Sequence, residues 1–126
     1  MNFPDDLKYT REHEWLRIEG DEAVIGITEF AQDELGDIVY VETPPIGNSV
    51  KQNEQFGVVE SVKTVSDLFS PVSGEVIAIN EEVIATPELV NKDPYGEGWI
   101  IKIKISDPNE QDSLLNAADY KTMIGK

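Results

Sequence analysis

The sequence contains no cysteine and a single histidine, His13. Without cysteine the chain can form no disulfide, no thiol nucleophile and no zinc ribbon, and one histidine excludes a multi-histidine metal site. A Gly-x-Ser-x-Gly nucleophile turn, a Gly-x-Gly-x-x-Gly loop and a Walker-type phosphate loop are also absent. We therefore predict neither a catalytic residue nor a metal ligand, and any redox or covalent chemistry must be supplied by a cofactor.

Long apolar runs are absent as well, since no segment approaches the ~20 residues that a helix needs to cross a bilayer. Residues 1–6 have neither the basic and apolar regions of a signal peptide nor the arginines of a transit segment. The chain has 126 residues, of which 40% are hydrophobic. We expect one compact, monomeric domain without membrane contact, in the cytoplasm or as a mature form in an organelle.

Positive charge is scarce. The 25 acidic residues outnumber the 10 lysines and arginines, which gives a formal net charge of −15. Such a surface repels nucleic acid and anionic lipid, so neither is an expected partner. Two interpretations stay open for the excess: attraction to basic surfaces of partner proteins, or solubility alone.

Short β-type runs with frequent turns dominate what is present, and they predict a mostly β sandwich or barrel, since no alternating βαβ pattern supports a parallel sheet. A hairpin turn at Glu19–Asp21 separates the first two runs, and Pro44-Pro45 stops a later one. The last run alternates Ile101, Ile103 and Ile105 with lysines, as a half-buried strand does. The predicted strands are 14–18, 22–27, 37–41, 49–51, 54–62, 64–69, 75–79 and 99–105.

Few helices are expected. Thr28 can cap a short helix that ends at Leu35 before Gly36. Residues 81–98, with two prolines and two glycines, are predicted to form a long connection. From Asn109 onward the sequence predicts helical segments, one containing Leu114 and Leu115 and another over 117–124, capped by Asn116. The expected core spans about 14–106, with a C-terminal helical appendage over about 109–124.

Lys63 lies where two β-type runs meet, in the segment Gly57–Asp67. An enzyme that modifies a lysine must enclose its side chain, and a rigid hairpin tip presents a lysine in that way. By this local pattern alone, an ordinary solvated lysine in a turn is the favoured explanation of the segment.

Glu60-Ser61-Val62-Lys63, followed by Ser70-Pro71-Val72-Ser73-Gly74-Glu75-Val76, resembles the biotinyl/lipoyl carrier family, in which an acceptor lysine precedes a Ser-Pro-x-x-Gly-x-Val segment. Further blocks narrow the resemblance to the glycine cleavage H-protein family and extend it over nearly the whole chain. These blocks are His13-Glu14-Trp15, Gly26-Ile27-Thr28, the Ala31-Gln32 pair with Leu35–Val39, Pro87–Asn91 and Pro94–Trp99.

The resemblance implies a barrel-sandwich hybrid, built from two antiparallel sheets, with Lys63 at a hairpin tip and a C-terminal helix. It also implies that lipoate is joined to Lys63 by an amide, which removes the charge of the lysine and creates a long flexible arm. The chain would then be a single lipoyl-carrier domain over 1–126. A carrier of this kind is not an enzyme.

The resemblance further implies the partners. Lipoate ligase or octanoyl transferase would modify Lys63. Glycine decarboxylase (P-protein) would load the aminomethyl group of glycine onto the arm, aminomethyltransferase (T-protein) would unload it, and dihydrolipoamide dehydrogenase (L-protein) would reoxidise the arm. Tethering lets one cofactor visit these sites in turn.

Glu14 and Asp67 resemble family positions that line a cleft where the loaded arm docks. Carboxylates suit that place because the cargo carries a cationic amine, although two solvated acids among 25 would look the same in the sequence. His13, beside Trp15, is expected to be structural rather than chemical, and Trp15 and Trp99 are expected to pack in or at the edge of the core.

Four other functions are weighed against the carrier of glycine cleavage. A biotin carrier is disfavoured because its lysine usually lies in Met-Lys-Met, whereas Val62 and Thr64 flank Lys63. A role as lipoyl donor to 2-oxo acid dehydrogenases stays open as an addition. A lipoyl domain of an acyltransferase is disfavoured because no linker follows residue 126, and a purely structural β protein would leave the family blocks unexplained.

Overall fold

The computed structural model describes all residues, 1–126, and consists mainly of two antiparallel sheets. Sheet A has six strands in the order β1-β2-β3-β9-β8-β5, and sheet B has three in the order β4-β6-β7. The strands are β1 Lys8–Tyr9, β2 Glu14–Glu19, β3 Glu22–Ile27, β4 Ile38–Glu42, β5 Ser49–Val50, β6 Gln55–Ser61, β7 Val65–Phe69, β8 Gly74–Ile79 and β9 Ile101–Ile105.

This architecture confirms the predicted mostly β fold of two antiparallel sheets with short helices and a C-terminal helix. The sheets do not close into a barrel. The larger core cluster joins both sheets through side chains such as Ile25, Val59, Leu68 and Ile103, each nearly or fully inaccessible to solvent. No helix of the structure has the length and apolar character needed to cross a bilayer.

Four α-helices and one 3₁₀ helix lie between and after the strands. The prediction of a helix from the Thr28 cap to Leu35 is confirmed, and so is the prediction over 117–124: Thr28 Oγ1 accepts the Ala31 N–H, and the Asn116 side chain accepts the Asp119 N–H. The helices are α1 Glu29–Leu35, α2 Glu81–Ala85, α3 Leu89–Lys92, the 3₁₀ helix Pro108–Ser113 and α4 Ala117–Ile124.

The long connection predicted over 81–98 is wrong, because it contains α2 and α3. The Asn80 side chain accepts the Glu82 N–H and so begins α2. Val83 is fully buried in the core, which supplies the burial that such a short helix needs. The strand predicted to begin at Trp99 begins at Ile101.

The helix predicted around Leu114 and Leu115 is also wrong. The 3₁₀ helix ends at Ser113, and Leu115 exchanges two backbone hydrogen bonds of 2.8 Å with Tyr9. Pairing with a distant strand edge satisfies the same backbone groups that a helix would. The C-terminal segment is thereby attached to sheet A.

A second core cluster covers the other face of sheet A. Tyr9, Trp15 and Tyr120 are fully buried there, and the Tyr9 and Tyr120 rings stack with centroids 4.8 Å apart. Trp15 packs here as expected, and its indole N–H donates to Pro94 O at 2.9 Å. Phe3 and Leu7 are buried in this cluster too, so α4 packs against the N-terminal segment.

Candidate functional site

Lys63 occupies the tip of the β6–β7 hairpin, where the sequence predicts it. Ser61 organises this turn: its Oγ accepts the Lys63 and Thr64 N–H groups, both at 3.1 Å, and its N–H donates to Thr64 O. Val62 N–H donates to Asp37 O at 3.0 Å, which ties the tip to the start of β4. The turn is therefore held by the Ser61 hydroxyl and by backbone hydrogen bonds within the hairpin and to Asp37.

The Lys63 side chain is exposed, and its ammonium is not paired with an acid, because the one ion pair of the chain joins Lys102 and Glu19. The side chain lies over Gly36: a Cβ placed on Gly36 would be 3.0 Å from Lys63 Cε and 3.6 Å from Nζ. Gly36 ends α1 with φ 84° and ψ −159°, a conformation that is essentially limited to glycine. The position thus needs glycine for its backbone, whereas the end of the exposed Lys63 side chain can move by the few tenths of an ångström that a Cβ would require.

Replacing Gly36 tests this arrangement. We expect Gly36→Ala to lower the free energy of unfolding by about 2 kcal/mol, because an L side chain is strained at this φ and ψ. Gly125→Ala is the matched control: Gly125 is left-handed at φ 80° with nothing within 4 Å, and should lose only about 1 kcal/mol. Denaturant titration measures both, and equal losses would contradict the greater strain at the φ and ψ of Gly36.

A groove of about 280 Å³ adjoins Gly36. One wall is α1, whose last residues Glu34 and Leu35 lead directly to Gly36, and the opposite wall is β7. Its lining residues are Glu12, His13, Glu14, Ile27, Phe30, Ala31, Glu34, Leu35, Val59, Ser66, Asp67 and Leu68. The groove is thus a partly apolar channel that begins beside the Lys63 turn.

Glu14 is buried at this groove, with 1% of its surface exposed. Its Oε1 accepts the Thr10 hydroxyl at 2.6 Å, and its Oε2 accepts the Phe69 N–H of β7 at 3.3 Å. Burial raises the pKa of Glu14 to about 7, although these hydrogen bonds oppose the shift. No cation of the chain neutralises it.

Asp67 lies at the same groove but in a different setting. Its carboxylate is exposed and accepts the Gln55 side-chain amide at 3.0 Å. Backbone groups along an antiparallel strand alternate in direction, and the Phe69 N–H points away from β6 towards Glu14. The Asp67 N–H and C=O therefore also lie on the unpaired edge of β7, on the groove side.

His13 forms part of the groove wall, and its ring is held in place by a hydrogen bond to Tyr120. Its Nδ1 is 2.9 Å from the Tyr120 hydroxyl, which is 2.8 Å from Thr28 Oγ1, the cap of α1. The ring packs on Phe30, and burial lowers the pKa of His13 below its ordinary value. These contacts agree with the structural role expected from the sequence.

The structure brings Lys63, Glu14 and Asp67 to one region, as the resemblance implies. Sequence reasoning did not predict that α1, through residues such as Phe30, forms a wall of the groove, or that the Lys63 side chain lies over Gly36. It also missed the hydrogen bond between His13 and Tyr120. The helix itself was recognisable from Thr28 and Gly36. Its placement opposite β7 depends on contacts between residues far apart in the chain, for which no local pattern exists.

The chain also resembles known proteins. Residues 7–126 match the family described as Glycine cleavage H-protein. The glycine cleavage system H protein of Symbiobacterium thermophilum is 61% identical over 119 residues, covering 94% of this chain and 93% of the relative. That of Bacteroides thetaiotaomicron is 55% identical over 124 residues, covering 98% of each.

A solved structure agrees with the fold. The crystal structure of a glycine cleavage system H protein from Mycobacterium marinum superposes with a TM-score of 0.91. It is 38% identical in sequence, and the match covers 98% of this chain and 100% of the other.

Proposed function

The chain belongs to the glycine cleavage H-protein family, and we propose that residues 1–126 act as one lipoyl-carrier domain with Lys63 as the attachment site. The observation that carries the proposal is the Lys63 turn: an exposed, unpaired lysine on a hairpin tip fixed by Ser61, with its side chain directed over Gly36 beside a groove. Its ε-amine is free to form an amide with a carboxylic acid cofactor.

The neighbouring residues fit a lipoyl group. The groove offers apolar walls at Ile27, Phe30 and Leu35 for a hydrocarbon arm, and a buried carboxyl at Glu14 for a cationic end. When bound, lipoate supplies a disulfide that exchanges electrons and accepts a one-carbon unit. The chain itself contributes presentation, orientation and exclusion of water.

We assign the following work to the chain. Lys63 would carry the cargo from glycine decarboxylase to aminomethyltransferase, and after unloading the turn would present the reduced lipoyl arm to dihydrolipoamide dehydrogenase for reoxidation. Between these visits the groove shields the cargo from water, with Glu14 accepting the ammonium group of the cargo and the β7 edge at Asp67 lining the opposite wall. A charge-assisted contact of this kind favours docking by about 1 kcal/mol or somewhat more.

Modification precedes this cycle and requires lipoate ligase or octanoyl transferase to enclose Lys63. The chain completes no reaction by itself in this proposal. The additional role as lipoyl donor stays a prediction from the resemblance alone. Reconstitution tests the proposal: the chain modified with lipoate should support glycine-dependent release of carbon dioxide by glycine decarboxylase, and the unmodified chain should not.

Salt should weaken the encounter with the partner enzymes. The net charge of −15 attracts basic surfaces, and the Debye length falls from ~10 Å at 0.1 M to ~3 Å at 1 M salt. We expect the Michaelis constant for the carrier to rise several-fold with salt, while an uncharged solute at the same osmolality leaves it unchanged. A flat response up to ~0.5 M salt would remove charge steering from the account.

A further inference from the structure

Exposed apolar side chains are concentrated around the hairpin that carries Lys63. The chain has seven large hydrophobic residues with substantial exposure, and four of them, Val39, Tyr40, Val62 and Val65, belong to sheet B or its turn, with 45–67% of their surface exposed. Single exposed apolar residues are ordinary, but a cluster on one face marks an interaction surface.

Strand register places two of these residues, Tyr40 and Val65, in an ordered pattern with their neighbours. Tyr40 pairs with Glu60, which pairs with Val65, and Glu42 pairs with Val58, which pairs with Asp67. Paired residues share one face of a sheet, and the two rows are two residues apart along each strand, so all six lie on the same side. The outer face of sheet B comprises Tyr40, Glu42, Val58, Glu60, Val65 and Asp67.

This outer face alternates apolar and acidic side chains. One row consists of Tyr40, Glu60 and Val65, and the other consists of Glu42, Val58 and Asp67. It contains no base, and Lys63 is the only basic residue within 37–42 and 54–69, against five acids. Once Lys63 is acylated, the hairpin and this face carry negative charge alone.

We propose that the outer face of sheet B is the docking surface for the enzyme that decarboxylates glycine, which meets it with an apolar surface bearing arginine side chains. Charge complementarity selects arginine: its planar fork binds a carboxylate while its face stacks on Tyr40 or the valines. The surface is continuous with the turn that presents the attachment lysine, so docking here brings the arm to the enzyme.

The size of the face agrees with brief contact. Standard stable interfaces use roughly 20–30 residues on each side, and this face supplies six together with the turn. A carrier that visits several enzymes must dissociate after each visit, and a small face with scattered charges favours fast association and fast release.

The test rests on the proposed function and uses the lipoylated chain with glycine decarboxylase. Tyr40→Ser/Val65→Ser should raise the Michaelis constant for the carrier about fivefold or more with kcat unchanged, because both residues are exposed and lie outside the groove. Glu42→Lys should raise it as well and reduce its salt dependence. Ile46→Ser and Asp112→Lys, which change exposed residues outside sheet B, are the matched controls.

The outcomes separate the two proposals. If the parent chain supports no glycine decarboxylation, the proposed function fails. If the parent is active but the variants of the outer face show the same Michaelis constants as the controls, the docking surface is wrong and the carrier function stands. If the double variant unfolds, Glu42→Lys decides alone, since an unchanged Michaelis constant and salt slope overturn the proposal.

Discussion

Lys63→Arg should abolish lipoylation and glycine decarboxylation together while leaving the thermal unfolding midpoint close to that of the parent. Arginine keeps the positive charge and a long aliphatic stem, but its guanidinium does not form the amide that a lysine amine forms. The Lys63 side chain is exposed and makes no ion pair, so the fold loses little. Incubation with ligase and lipoate, followed by the reconstituted decarboxylation assay, measures both losses.

Lys51→Arg is the matched control, since Lys51 is also exposed and lies just before the same hairpin. It should be modified and active at the parent rate. Continued lipoylation of the Lys63→Arg chain at another lysine would show that the hairpin tip is not the attachment site.

Glu14→Gln should become more stable relative to the parent as the pH rises. The pKa of Glu14 is about 7 in the folded chain, raised by burial from an ordinary value of 4.5. The folded state therefore binds the proton more tightly than the unfolded state, and the parent loses stability as pH rises through this window. The loss amounts to about 3 kcal/mol and is complete above pH 7, whereas glutamine does not titrate.

Denaturant titrations of both chains between pH 5 and 8.5 isolate this effect, because the other acids are common to both. If the difference in free energy of unfolding between Glu14→Gln and the parent does not change with pH, the Glu14 carboxyl is not buried as the structure has it.

The burial of Glu14 also bears on its proposed use. A carboxyl whose pKa lies near neutrality is partly protonated when alone, and a cation placed beside it favours the charged form. A positively charged cargo bound in the groove would therefore favour the charged form of Glu14 and pair with it. An exposed acid such as Asp67, already hydrogen bonded to Gln55, gains less from the same contact.

Local chemistry made part of the structure predictable. The β2–β3 hairpin follows from the β-type runs on either side of Glu19–Asp21. Helices α1 and α4 follow from their caps, Thr28 and Asn116, and the end of α1 follows from Gly36. The Lys63 turn follows from two β-type runs that meet at one residue. Each of these features is encoded within about ten residues, as short-range patterns are.

Long-range contacts determined the remainder. Helix α2 is stabilised because Val83 is buried in the core. Leu115 is extended because its backbone forms hydrogen bonds with that of Tyr9. The burial of Glu14 depends on β7, whose Phe69 N–H lies 55 residues away in the chain. The family resemblance placed Glu14 and Asp67 together, but only the fold distinguishes a buried carboxyl from a surface one.

The mass of the intact chain isolated from its native host, with mapping of the modified peptide, tests the central claim most directly. Unmodified, octanoylated, lipoylated and biotinylated chains differ in mass, and a digest locates the group. The account predicts one lipoyl group on the peptide that contains Lys63. A biotinyl group, a lipoyl group on any other lysine, or a chain left unmodified in cells that make lipoate would contradict it.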